Sequence, residues 1–262
     1  MAPVYADHPF SLISTPVFLA KGKNEETHKT QPDMFDELAS EMVHVHNMVI
    51  RGLNSIYLQA PHIQPADEKG FCQYILFWHT LLHSHHTGEE TMLFPEVEKL
   101  TGVEGLMETN VEQHKAFHDG IDSFKAYAES VLAGAQQYQG AKVVAIIDGF
   151  GPALIQHLAD EVPSLLGLRQ YGKDKLASLP AFFDAEGEKA MKEIGLAGMV
   201  FAFANLDMQY ENAMWQNWPP APPPVKILAK SVFWWLNADA RKFGAVDRMG
   251  NMRHLYAVPE TS

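Results

Sequence analysis

The chain has 262 residues, 47% hydrophobic and 20% charged, a folded globular composition that excludes a disordered, collagenous or fibrous chain. Twenty basic against 32 acidic residues leave a formal charge of −12, which argues against nucleic acid or an anionic membrane as a main partner. A lone cysteine, Cys72, excludes an internal disulfide framework and a CxxC zinc site.

Residues 1–32 read as an irregular, proline-containing lead-in. Its apolar stretch from Phe10 to Ala20 has no basic lead and holds Pro16, so it does not read as a signal peptide, and the expected location is the cytoplasm.

Four segments of helical period follow. The first spans Asp33–Leu58, with an apolar stripe of Phe35, Leu38, Met42, Val49, Leu53 and Tyr57. His46 falls on that stripe, whereas His44 lies with Glu37, Glu41, Arg51 and Ser55 on a face expected to be solvated. The second spans Asp67–Leu100, stops at Thr101-Gly102 and is expected to kink at Pro95. Its stripe of Phe71, Ile75, Trp78 and Leu82 runs on through His85 and Glu89. His86 and Glu90 are rotated by about 100° and share a side face with His79 and His83. That side set is read as solvated, with a supporting or channel-lining role as the alternative.

The third segment, Glu104–Ala133, is stopped by Gly134 and carries Met107, Val111, His114, His118 and Ile121 in one stripe. The fourth, from Ala141 to Glu161 before Pro163, carries Ile147, Phe150, Leu154, His157, Glu161 and Leu165. No segment alternates as a strand does. The expected fold is all-α, an antiparallel four-helix bundle over residues 33–165.

Residues 166–262 form a further region, mostly helical and packed on the bundle. Helix signal is present at 186–203 and 208–218, and a stiff proline-rich break covers Trp218–Pro224. One more helix is expected over Val225–Leu236, before a turn-rich tail. The longest apolar run, Ile194–Leu206, is too short to span a bilayer. The chain holds no phosphate-binding loop, GxSxG, HExxH or dinucleotide fingerprint.

The inward set therefore comprises His46, His85, Glu89, His114, His118, His157 and Glu161. Side chains one helical turn apart are about 5–6 Å apart at Cβ and can converge on one ion or on two adjacent ions. Burying imidazoles and carboxylates unpaired costs several kcal/mol, and a metal removes that cost. Two carboxylates can bridge two ions, five imidazoles complete shells of three and two, and an open position remains. This donor set suits iron, with zinc or manganese as substitutes. Glu161, one turn after His157, is expected to bridge.

The segments HSHHTGEETMLFPEVE (83–98), EQHKAFHDGI (112–121) and LIQHLADEV (154–162), preceded by VHVHNMVIRGL (43–53), resemble the hemerythrin-like HHE cation-binding family over residues 33–165. The resemblance implies an up-down bundle around a non-haem di-iron centre, and its pattern marks the same seven residues. Oxygen-carrying members have HxxxxD on the last helix. Here position 162 is valine and the carboxylate is Glu161 at HxxxE, as in the wider group of sensors, redox proteins and enzymes. RKFGAVDRMG (241–250) resembles the tails of long fungal members. The implied function is a di-iron protein that binds or reacts with O2 or peroxide, as an oxidase or oxygenase on a small molecule. The alternative is an iron or oxygen sensor, carrier or store without turnover.

Overall fold

The structure is a computed structural model that describes residues 3–27, 31–219, 227, 228, 231 and 233–259. Among the described residues it is all-α. Helices α2 (Met34–Gln59), α3 (Glu68–Gly88), α5 (Glu108–Leu132) and α6 (Gly140–Gly167) form the bundle. α2 packs on α3 and α6, and α5 packs on α3 and α6, which closes the ring.

Helix α2 starts at Asp33, whose carboxylate accepts from the amides of Phe35 and Asp36 while Asp36 accepts from the Asp33 amide. Arg169, just past α6, grips Asp33 at 2.8 and 3.0 Å and ties the two helices together. That pair holds the Asp33 carboxyl down at about 2. The segment stays helical through Pro95, from Glu68 to Thr101. A π-helical turn over Glu89–Leu93 precedes the proline, the Phe94 amide reaches back five residues to Glu89 O, and Pro95 falls at the start of α4 (Phe94–Thr101). Gly102 then ends α4 in the left-handed region, at φ 70°. The fourth helix passes through Pro152 and Pro163 to Gly167 instead of stopping near Glu161. The Ser164 hydroxyl donates to Asp160 O in the turn around Pro163.

The expected irregular lead-in contains a helix, α1 (Pro16–Thr27). The stretch before it is laid along the outer face of α2 by three polar residues spaced by seven, Ser40, Asn47 and Asn54. Ser40 Oγ accepts from Val17 N, Asn47 pairs with both backbone groups of Ile13, and Asn54 does the same for Phe10 while also donating to Ala6 O.

Past the bundle come α7 (Leu179–Glu193) and α8 (Gly195–Asn205). α8 lies against both α2 and α3. Gly52 permits this, because a Cβ there would overlap Phe201 Cζ and lie 3.0 Å from Trp78 Cδ1. Within 208–218 only a short helix forms at Tyr210–Ala213, and its Glu211, Asn212 and Ala213 have φ near 60°. The proline-rich break and the helix expected over 225–236 fall largely outside the described residues, and Phe233–Trp235 form a 3-10 turn.

Two apolar clusters fill the bundle. One gathers Val49, Trp78, Phe117, Phe124, Phe150 and Leu158, the other Leu38, Met42, Leu93, Val97, Met107 and Leu165. On each of the four helices the polar inward residues fall at the boundary between them, so the candidate site is a polar layer between two dry ones.

Candidate metal centre

Two groups of donors converge in that layer. One is His86, Glu89, His114 and His157, the other His46, His85, Glu89 and Glu161, and within each group the donor atoms lie within 4.8 Å of one another. Glu89 belongs to both. Its Oε1 is 3.0 Å from His85 Nε2, and its Oε2 is 3.6 Å from His114 Nε2. His46 Nε2 lies 3.2 Å from Glu161 Oε2 and 3.1 Å from His85 Nε2, and His114 Nε2 lies 2.9 Å from His157 Nε2.

The rings are oriented from outside. His46 Nδ1 donates to Leu158 O at 2.9 Å, and His114 Nδ1 donates to the Glu90 carboxylate at 2.6 Å. His157 Nδ1 donates to Gln113 Oε1 at 3.1 Å, and the Gln113 amide in turn donates to Asp160 at 3.0 Å. With their protons on Nδ1, these imidazoles aim bare Nε2 lone pairs at the centre. The lone pairs of His114 and His157 thus face each other across 2.9 Å. Both oxygens of Glu89, both of Glu161 and Nε2 of His86 are buried without a hydrogen-bond partner among the described residues. Lone pairs aimed at lone pairs and at bare carboxylates are repulsive, and a cation between them reverses the sign. Two donors bound at right angles to one ion at about 2.1 Å lie roughly 3 Å apart. The residues fit a metal.

Burial drives the charges the same way. It pushes the five imidazoles below the usual histidine range, His157 to about 2; neighbouring imidazoles help at His46, His86, His114 and His157, whereas Glu161 and Glu186 oppose the shift at His85. It pushes Glu89 well above the usual carboxylate range and Glu161 upward too, with Glu161 adding to the shift of Glu89.

The structure brings together six of the seven expected residues and leaves out His118. The buried face of α5 runs through Asn110, His114, Phe117, Ile121 and Phe124, not through Val111 and His118. The His118 side chain is 66% exposed, 3.6 Å from Asp122. In its place stands His86, read from its period as solvated. Glu89 points between the two groups, and His85 and His86 flank it, one turned toward α2 and the other toward α5. Their rotation of about 100° is what serving two neighbouring helices requires. The adjacent pair in HSHHTGEE was the available signal. Glu90, on the same side face, orients His114. Glu161, expected to bridge, sits in one group only, and Glu89 is the shared carboxylate.

His79 and His83 line a cleft of about 590 Å³ between α3, α5 and the α7–α8 junction, together with Thr80, Lys125 and Ile194. It lies on the side of α3 turned away from Glu89. His44 is buried beneath the 207–218 segment instead of being solvated.

A buried layer of histidines and carboxylates in a four-helix bundle defines a cation-binding helical protein. The chain matches the Hemerythrin HHE cation binding domain over residues 37–165. It is also 31% identical over 256 residues to the dimeric xanthone biosynthesis cluster protein R11 of Cryptosporiopsis sp. (strain 8999), covering 96% of this chain and 92% of that one. It belongs to the hemerythrin HHE cation-binding family. No solved structure matches it significantly.

Proposed function

We propose that the chain holds two iron ions and reacts with O2 or peroxide, as an oxidase or oxygenase acting on a small molecule. The observation that carries this reading is the pair of four-donor groups sharing Glu89. Iron favours close to six donors, so four at each position leave room for an exogenous ligand. Bound iron would supply the electron steps that activate O2 or peroxide. The chain's own residues do the rest. His46, His114 and His157 are held in one tautomer by Leu158 O, Glu90 and Gln113, and the two apolar clusters keep water from the polar layer.

Turnover is preferred to storage because the relative is named for a biosynthesis cluster. The dimeric xanthones of that name make a polycyclic aromatic the first substrate to try. Elemental analysis after expression in iron-replete medium is expected to give two irons per chain, and a chain without transition metal ends the proposal. Mixing the reduced protein with O2 separates the roles. Repeated bleaching with O2 consumption supports turnover, and a stable oxygenated spectrum supports a sensor or carrier.

A further inference from the structure

The C-terminal extension meets the bundle beside the metal centre at Gly88, the last residue of α3. A Cβ built on Gly88 would overlap Oε1 of Glu186 and lie 3.0 Å from its Cδ. Glu186 stands in the middle of α7, which packs against α2, α3 and the π-helical turn. Its half-buried carboxylate acts electrostatically on His85 and on Glu89, which stand three residues before Gly88 and one after it. Among the described residues Glu186 makes no ion pair within 4 Å. Lys189 on α7 acts on Glu186 only through its field, its ammonium lying 3.6 Å from Glu193 and 3.0 Å from Met92 Sδ.

Metal-binding imidazoles as a rule give their outer N–H to a carboxylate, a carbonyl or water, which fixes the ring and raises its basicity. In this centre Leu158 O does so for His46, Glu90 for His114 and Gln113 for His157. His85 turns Nε2 inward, to His46 and Glu89, so its other ring nitrogen faces away from the centre. Burial pushes the half-buried Glu186 carboxyl upward, and His85 and Lys189 pull it back through their fields.

We propose that Glu186, delivered over Gly88 by the extension, places a negative charge at the edge of the His46–His85–Glu89–Glu161 group and acts on the His85 imidazole through its field, across more than 4 Å and with no hydrogen bond between them. Glu186 is a positioning residue here. It tightens the hold on the ion of that group and disfavours an added anion beside it. The inference rests on the metal-binding reading above.

The test uses the full chain, iron-loaded, and compares Glu186→Gln with Glu188→Gln, whose carboxylate is exposed on the same helix. The readouts are the rate of iron loss to excess chelator, the azide Kd from the visible spectrum, and the melting temperature of the metal-free protein. Glu186→Gln is expected to release one of the two ions roughly 10-fold faster, the low end of the effect of removing a hydrogen-bonded outer partner of a ligand. It is also expected to bind azide several-fold more tightly and to melt with the parent when metal-free, with Glu188→Gln unchanged throughout. Gly88→Ala, which displaces Glu186 without removing its charge, should speed ion loss and so gives a second route if Glu186→Gln folds poorly. A parent that holds two irons, with Glu186→Gln matching it in iron retention and azide affinity, overturns this inference alone. A parent that holds no transition metal overturns the metal reading and this inference with it.

Discussion

His44 and His46 stand two residues apart on α2, both buried and both neutral, in surroundings of opposite chemistry. His46 faces inward, 3.1 Å from another imidazole nitrogen and 3.2 Å from a carboxylate. His44 faces outward, edge-on to Trp215 with ring centres 4.4 Å apart and tilted against Trp218 at 4.8 Å. Burial, with Arg51 nearby, pushes His44 down to about 4. His44 Nε2 is also buried without a hydrogen-bond partner, but among the described residues His44 belongs to no group of converging donors, and the aromatic rings suit a neutral imidazole. Around His46 the donors repel until a cation arrives. Burial of a histidine is therefore not by itself the mark of a ligand. What distinguishes the two faces is whether other unprotonated donors aim at the same point.

The sharpest way to break that comparison is Glu89→Ala, because Glu89 serves both groups. Both ions should be lost, together with the stability that their binding adds, about 4 kcal/mol for an ion present at a thousand times its Kd. His44→Phe should keep both ions and stay within about 1 kcal/mol of the parent, since a ring replaces a ring. Elemental analysis and denaturant unfolding check both variants, and equal metal loss in the two would erase the distinction. Next in size, His86→Ala should lose at least the ion of the His86–His114–His157 group, and His118→Ala should lose none. The reverse order would mean that the exposed face of α5 turns inward in solution.

Gly52→Val tests the outer face without touching the donors. Its side chain collides with Phe201 and should cost about 1–3 kcal/mol by overpacking, with the metal count unchanged. The smallest effect concerns pH in the metal-free protein. His44 sits near 4 when folded and near 6.5 in a free chain, so the unfolded chain takes up the proton first as pH falls. Its contribution to stability is whole above about 6.5 and is lost between there and about 4. His44→Phe should flatten that part of the stability curve, and an unchanged slope would place His44 in contact with solvent.

Much of the bundle was legible because its cue is periodic. Four stripes placed four helices, and HHxxEE, together with one histidine on each of α2, α5 and α6, placed the polar layer. The errors have a common cause. The seven-residue spacing that linked Val111 to His118 was mistaken for the buried face, which Asn110, Phe117 and Phe124 define. A single stripe per helix leaves His86 out, whereas α3 meets two neighbours at the centre. The polar face of α2 reads as wet because its covers, residues 3–17, 201–218 and 243–257, are remote in sequence and individually weak in signal. The π-helical turn left no periodic trace beyond Pro95 itself.

The ladder of Ser40, Asn47 and Asn54 has a further consequence for how the molecule is assembled. The segment it grips also depends on residues that are made long after it. Val4 donates to His254 and accepts from Leu255, and Ala6 packs with Ala245, Val246 and Leu255. The sequence separation across the first of these contacts is 250 residues. The bundle is built from neighbours in sequence and can close while the chain is still being made. The outer layer of α2 cannot, since its loop-closure entropy is recovered only when residues 245–255 arrive. During synthesis α2 therefore exists with its metal-facing side sheltered and its outer side bare, a late-folding surface open to chaperones and proteases until residues 4–6 and 245–255 meet over it.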